Sequence, residues 1–229
     1  MNPENQLLDA EAAALLSELE QVSDLDELQT ITRQPPGRAL GMNTVATTHR
    51  QQVDQHLFAD WTTRQAAATE HLRKLPKPNQ SLHVITGGDY NGTDIIPAVI
   101  RLDGATCAKQ CYLTTLSFSE TNVKLLATML DSGQIKRLAL VCSYYFARAS
   151  KAIYELAERE LVPRGVRLLH TRCHCKITLL ALDTGRRYVI ETSANARSCI
   201  CLEQLTLTQD AALFQFHRRW IEHLFATKP

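Results

Sequence analysis

The first hundred residues contain no cysteine, and all seven cysteines of the 229-residue chain fall in the remainder. A disulfide framework distributes cysteines through a small fold in even number, so this pattern excludes one and points to a reducing, cytoplasmic compartment. No apolar run approaches the roughly 20 residues that cross a bilayer, and "RLALVCSYYF" is short and interrupted, so no membrane partner is expected. The N-terminus "MNPENQLLDAEAAALLSELE" lacks the positive charge of a signal or transit peptide and reads as neither. There is no internal repeat and no low-complexity segment. "GGDYNG" (87–92) is followed by neither a Gly-x-Gly-x-x-Gly pattern nor a Walker lysine, and reads as a turn. Basic residues are missing from the N-terminal stretch, where acids collect. Residues 1–28 hold eight carboxylates and no lysine or arginine, so residues 29–229 carry a formal charge of +9 behind the overall +1. A basic body suits an anionic partner, nucleic acid above all.

What is present divides the chain at about residue 80. Leu8, Ala12, Leu15, Leu19 and Val22 recur at helical steps and predict an amphipathic helix over 5–28. "RQPPGRALG" (33–41) interrupts it with two prolines and two glycines. Val53, Leu57, Trp61, Ala68 and Leu72 predict a second helix over 48–75, which "PKPNQ" ends. Residues 1–80 are therefore expected to form a helical arm, open to a protein partner. Residues 81–229 alternate strand and helix patterns: strands at 82–86, 110–118, 137–143 and 166–170, and helices from Ser119 and over 147–161. "KITLLAL" and "RYVIET" flank the hairpin signal "DTG". "LEQLTL" is a further strand, and Leu213, Phe216, Trp220 and Leu224 line a closing helix. This is an α/β pattern, a mixed β-sheet flanked by helices.

"HTRCHCKI" (170–177) concentrates the chemistry. Cys173, Cys175, Cys199 and Cys201 could hold zinc, although structural sites space their paired cysteines by two to four residues rather than one. A reactive thiol would need a cationic neighbour or a helix N-terminus, and nothing in the spacing selects one of the seven. A third reading takes 173–176 as strand, with the two cysteines on one face and His174 and Lys176 on the other. "TSAN" follows one hairpin later and brings Ser193 and Asn195 within reach. An imidazole nucleophile with an ammonium, a hydroxyl and an amide around it suits a phosphate group: the histidine attacks phosphorus and the others stabilise its oxygens. Such a histidine needs its second ring nitrogen oriented, and Glu203 is the nearest carboxylate.

His-x-Lys, then Ser-x-Asn, then a glutamate resembles the motif of the phospholipase D superfamily. Residues 193–225 especially resemble its small single-motif members, including those of phages and mobile elements. The resemblance spans about residues 82–226 in element order, with its specific residues confined to 174–204. It implies a phospholipase D-like fold and a metal-independent phosphodiesterase or nuclease with a phosphohistidine intermediate, needing no cofactor. In this scheme His174 is the nucleophile, Lys176, Ser193 and Asn195 bind phosphate, and Glu203 orients the histidine. One His-x-Lys per chain implies a homodimer, with the second histidine supplied by a second copy. Two positions depart from the pattern: Ala181 stands where an aspartate is usual, and Thr192 stands where glycine precedes the serine. A catalytically degenerate nucleic-acid-binding or assembly protein is the alternative. Arg172, Arg186, Arg187 and Arg197 lie near the motif in sequence and are expected to contact DNA or RNA. His217 and His223 fall on the last helix, where a solvated or core-edge placement is expected.

Overall fold

The computed structural model describes residues 57–197 and 201–227. The helix expected over 5–28 lies outside them, as do Val53, Cys199 and the start of the second helix. The described chain begins in α1 (Leu57–Leu72) and continues through β1 (Ser81–Thr86), a 3₁₀ turn (Gly92–Asp94), α2 (Ile95–Asp103) and β2 (Ala108–Thr115). Then come α3 (Glu120–Asp131), β3 (Leu138–Ser143), α4 (Tyr144–Ala149), α5 (Lys151–Leu161) and β4 (Arg167–Thr171). β5 (Ile177–Leu182), β6 (Arg187–Thr192), β7 (Glu203–Gln209) and α6 (Ala211–Thr227) complete it.

The seven strands form one mixed sheet in the order β1-β7-β6-β5-β2-β3-β4. β2, β3 and β4 run parallel, while β5, β6, β7 and β1 pair antiparallel in succession. The central strands are buried on both faces, which is why "RLALVCS" and "KITLLAL" are nearly continuous apolar runs. Leu138, Leu140, Leu180, Leu182, Tyr188 and Ile190 meet the residues of α1, α2, α3 and α5 on one side. Ala139, Val141, Leu179 and Val189 meet Phe214 and Ile221 of α6 on the other. Ser119 caps α3 as its sequence position predicts: its Oγ accepts from the Asn122 N–H at 3.4 Å, and the Asn122 side chain accepts from the Ser119 N–H at 2.8 Å. The "DTG" hairpin closes with Gly185 at φ +87°, a conformation that favours glycine.

Two expectations change in the packed structure. A boundary at residue 80 would cut through a packed core: Ala68 and Leu72 of α1 are buried in the same cluster as α2, and Arg64 pairs with the fully buried Asp94 at 2.9 Å. The compact unit that holds every described residue divides from the rest between residues 48 and 49. On α6 the buried positions are Phe214, His217 and Ile221, with Leu213, Trp220, Leu224 and Phe225 flanking them, whereas Phe216 is 55% exposed. His217 tolerates burial because both ring nitrogens face polar groups: Nδ1 accepts from the Trp220 indole at 3.1 Å, and Nε2 lies 3.3 Å from a Glu191 carboxylate oxygen. Burial lowers its pKa, with Glu191 opposing.

Candidate active site

Strand order dictates the shape of "HTRCHCKI". β4 is the last strand in the sheet order and β5 sits three places away, across β3 and β2. Three strand spacings are about 14 Å, and five residues reach about 17 Å when fully extended. Residues 172–176 therefore cross the end of the sheet outside its strands: the Cys173 N–H turns back to the Thr171 carbonyl at 2.7 Å, and the Lys176 carbonyl accepts from the Thr192 N–H at 3.2 Å. The expected strand over 173–176 is a crossover loop instead. Its cysteines do not share a buried face: Cys173 is buried at 8%, whereas Cys175 is exposed. Burial also pushes the thiols of Cys111 and Cys142 up to about 12, so both stay protonated at neutral pH and neither is a nucleophile.

His174 and Lys176 do meet. The Lys176 ammonium donates to His174 Nδ1 at 3.1 Å and to the His174 carbonyl at 3.2 Å. A neutral ring with this partner carries its proton on Nε2. Partial burial, followed by the Lys176 charge, lowers the His174 pKa below the ordinary imidazole value. Burial likewise lowers the Lys176 pKa, opposed by Glu203, Cys173 and Cys175.

Ser193, Asn195 and Glu203 gather at the same end of the sheet. Ser193 donates its hydroxyl to the Glu203 carboxylate and accepts from the Gln204 N–H at 3.0 Å, while its own N–H donates to the Gln204 carbonyl at 3.1 Å. Glu203 is thus hydrogen-bonded to the serine, and no bond joins it to His174; the expected histidine–glutamate contact is absent among the described residues. The reason is register: β6 and β7 pair Thr192 with Leu205, which sets the serine just past β6 against the first residues of β7. Thr192 has its own role in place of glycine. Its hydroxyl donates to the Gln204 carbonyl at 2.7 Å and accepts from the Ala194 N–H at 3.0 Å, which fixes the turn. Asn195 carries a buried Oδ1 with no hydrogen-bond partner among the described residues.

Three further groups hold this arrangement, and sequence reading overlooked them. Thr114 Oγ1 accepts from the Ile177 N–H at 3.1 Å, anchoring the residue after Lys176. Thr115 Oγ1 accepts from the Ala196 N–H at 2.9 Å, anchoring the residue after Asn195, and donates to the Ser117 carbonyl at 2.8 Å. Two adjacent threonines at the end of a parallel strand were the available signal. "GGDYNG" is more than a surface turn: it leads into a turn whose Thr93 and Asp94 are fully buried. There Gly92 packs against the Asn195 carbonyl so closely that a Cβ would stand 2.9 Å from it. Together with Arg197, Thr192 and Glu203, this loop walls a shallow cleft.

The arginines divide between the two ends of the sheet. Arg172 and Arg197 are exposed beside the motif. Arg187 pairs with Ala181 at the far end of the hairpin, about 14 Å along the strand from Ile177. Arg186 is beside it, bound to Asp103 through Nε and Nη2. Neither lies at the His174 end of the sheet, because a hairpin carries its turn residues to the end opposite its open strands. Ala181 also sits at that far end, and Asp183, the nearest acid in sequence, accepts from Thr106. Arg164 and Arg167 are paired with carboxylates elsewhere.

No family model matches the sequence, and no curated protein matches it. Among solved structures, it is similar to a polyphosphate kinase from Porphyromonas gingivalis at 11% identity and a TM-score of 0.52, over 70% of this chain. The chain spans 29% of that enzyme. It also matches Nuc from Salmonella typhimurium, a phospholipase D family member, at 12% identity and a TM-score of 0.47, over 63% of this chain and 93% of that one. The chain shares with the first of these its α/β fold, a mixed sheet flanked by helices.

Proposed function

We propose that this chain is a phosphodiesterase acting on nucleic acid, with His174 as its nucleophile. The observation that carries the reading is the pairing of His174 with Lys176 in the β4–β5 crossover, at the end of the sheet that also holds Ser193, Asn195 and Glu203. A neutral imidazole attacks phosphorus and expels the leaving oxygen, giving a phosphohistidine; water then attacks phosphorus and releases the histidine. Attack through Nε2 requires the ring to pass its proton to Nδ1, which means release of the Lys176 contact; the freed ammonium then faces the phosphate oxygens. The hydroxyl of Ser193 and the amide of Asn195 lie on the adjacent turn to share that charge. The chain brings one such histidine, so the acid that protonates the leaving oxygen comes from a second copy in a homodimer. Because the ammonium, hydroxyl and amide provide the charge stabilisation, the scheme uses no metal.

The test is cleavage of labelled single- and double-stranded DNA and RNA in excess EDTA. Cleavage of one of these that survives chelation is the expected result and identifies the substrate; cleavage only with added divalent metal would sink the scheme. A second reading, a non-catalytic nucleic-acid-binding or assembly protein, draws support from Ala181 and from the engagement of Asp183 with Thr106. It predicts binding to these substrates without cleavage of any.

Two consequences separate the readings further. The nucleophile must be unprotonated, so kcat/KM should rise with pH through an apparent pKa below the ordinary imidazole value of 6.5, since burial and Lys176 lower it. Lys176→Met should move that acid limb upward, toward 6.5, by removing the neighbouring charge. A limb unchanged by that substitution would show that another group titrates. Gly92→Ala should push the Ser-Ala-Asn turn out of position through the Asn195 carbonyl. A displacement near 1 Å lowers turnover by about 10²-fold, and steady-state kinetics beside a thermal melt would read it; unchanged kinetics would mean that the loop yields instead.

A further inference from the structure

We infer that the opposite end of the sheet holds a second anion site, a groove that takes phosphates of a nucleic-acid strand away from His174. This rests on the nucleic-acid reading above. Lys109, at the start of β2, Arg137, just before β3, Arg187, at the start of β6, and Arg218, on α6, line one open concavity of about 290 Å³. Gln110 and Gln215 complete its polar lining, and none of its lining residues is a carboxylate.

The four cations make no direct ion pair among the described residues; Glu222 acts on Arg218 from a distance and accepts from the Tyr112 hydroxyl that Arg218 also touches. Arg137 Nε donates weakly to the Lys109 carbonyl at 3.5 Å, Arg218 donates to the Tyr112 hydroxyl at 3.3 Å and to Gln215 at 3.4 Å, and Arg187 lies 6.0 Å over the Phe214 ring. Every other arginine cited above at this end or on this face, Arg186 and Arg167, is matched to a carboxylate. Like charges held around one concavity repel, and an anion relieves that repulsion. Guanidinium forks and side-chain amides match phosphate oxygens.

The lining also narrows what kind of anion fits. Its single aromatic, Phe214, is 1% exposed, so there is no free ring face on which a base could stack. Leu182 is buried as well, so there is no apolar anchor for a lipid surface. Backbone phosphates, which need charge and amides alone, suit the groove. Strands of about five residues separate it from His174, roughly 17 Å. A chain of several nucleotides can therefore touch both ends, one for chemistry and one for grip.

The experiment measures binding of a fluorescein-labelled 20-nucleotide single-stranded DNA over a range of salt concentrations. Wild type is compared with Lys109→Gln/Arg137→Gln, two exposed positions whose loss leaves the core intact, and with Lys151→Gln/Arg159→Gln, which removes the same charge from α5. The groove variant should bind at least about fivefold more weakly and lose about 1.4 from its salt slope, at about 0.7 per phosphate contact on a single strand. The α5 variant should bind like wild type. Equal weakening in both variants, no weakening in the groove variant, or no binding by wild type would each overturn the proposal. Cleavage of the same oligonucleotide in EDTA, run beside it, keeps the two readings separate. Cleavage with an inert groove removes the groove alone, and a responsive groove without cleavage removes the catalytic reading alone.

Discussion

Replacing His174 with alanine should lower the rate of phosphodiester cleavage by about 10⁵-fold or more while leaving nucleic-acid affinity within a few-fold of wild type. The size follows from the role. A covalent nucleophile has no substitute within the site, and deleting one removes nearly all the acceleration that its whole constellation provides. A factor of about 10⁵ corresponds to about 7 kcal/mol of transition-state stabilisation. Binding persists because His174 is exposed and holds up no part of the core: its ring Nδ1 and its carbonyl both accept from Lys176. Lys176→Ala should cost less, about 10²–10³-fold, since it removes one charged donor and leaves the serine and asparagine. Single-turnover kinetics on a labelled diester, with acid-labile labelling of the protein followed in parallel, would check both. A His174→Ala enzyme that retained more than about 1% of wild-type turnover would place the nucleophile elsewhere and contradict the phosphohistidine scheme.

Asp94→Ala should destabilise the protein by about 3 kcal/mol or more, the largest stability effect expected of any single polar substitution here. Asp94 is fully buried, accepts from Arg64 Nε at 2.9 Å and from the Asn91 N–H at 2.8 Å, and has its pKa raised by burial, with Arg64 opposing. The pair is formed against a desolvation cost, and removing one member keeps that cost for the other. Arg64, whose side chain is only 14% exposed, would lose its buried counter-charge. The damage should reach the candidate site, because the turn that holds Asp94 begins at Gly92, packed against the Asn195 carbonyl. Asp94→Asn keeps an acceptor for the Asn91 N–H and should cost less. Urea denaturation of the three proteins would read the order; a loss below about 1 kcal/mol for alanine would mean that the loop reorganises around the vacancy.

Much of this was legible in the sequence for physical reasons that act locally. Strands buried on both faces must be apolar throughout, so "RLALVCS" and "KITLLAL" announced themselves, as did the "DTG" turn between two such runs. The cap at Ser119 needs only residues three apart. His174, Lys176, Ser193, Asn195 and Glu203 were found by motif, and the fold brings them to one end of the sheet. What failed were statements that depend on partners distant in sequence. Whether 173–176 forms a ladder depends on where β4 and β5 sit, and strand order is not written in either strand. Glu203 bonds Ser193 rather than His174 because the β6–β7 register aligns it so. His217 is buried where the Trp220 indole donates to its Nδ1 and a Glu191 carboxylate stands 3.3 Å from its Nε2, partners from two different elements.

The arginines make the same division in one residue type. Sequence alone determined that the body is basic and that six arginines, at positions 164, 167, 172, 186, 187 and 197, lie near the motif along the chain. Tertiary structure decided which remain available, matching Arg164, Arg167 and Arg186 to Asp131, Glu222 and Asp103 and leaving Arg172 and Arg197 exposed. It also carried Arg187 to the far end of the hairpin, beside Lys109, Arg137 and Arg218, three cations that no sequence window joins to it. Local sequence sets which segments become strands or helices and which faces they bury, because those forces act over a few residues. A site is a meeting of side chains from several segments, and only the order and register of the sheet determine which of them meet.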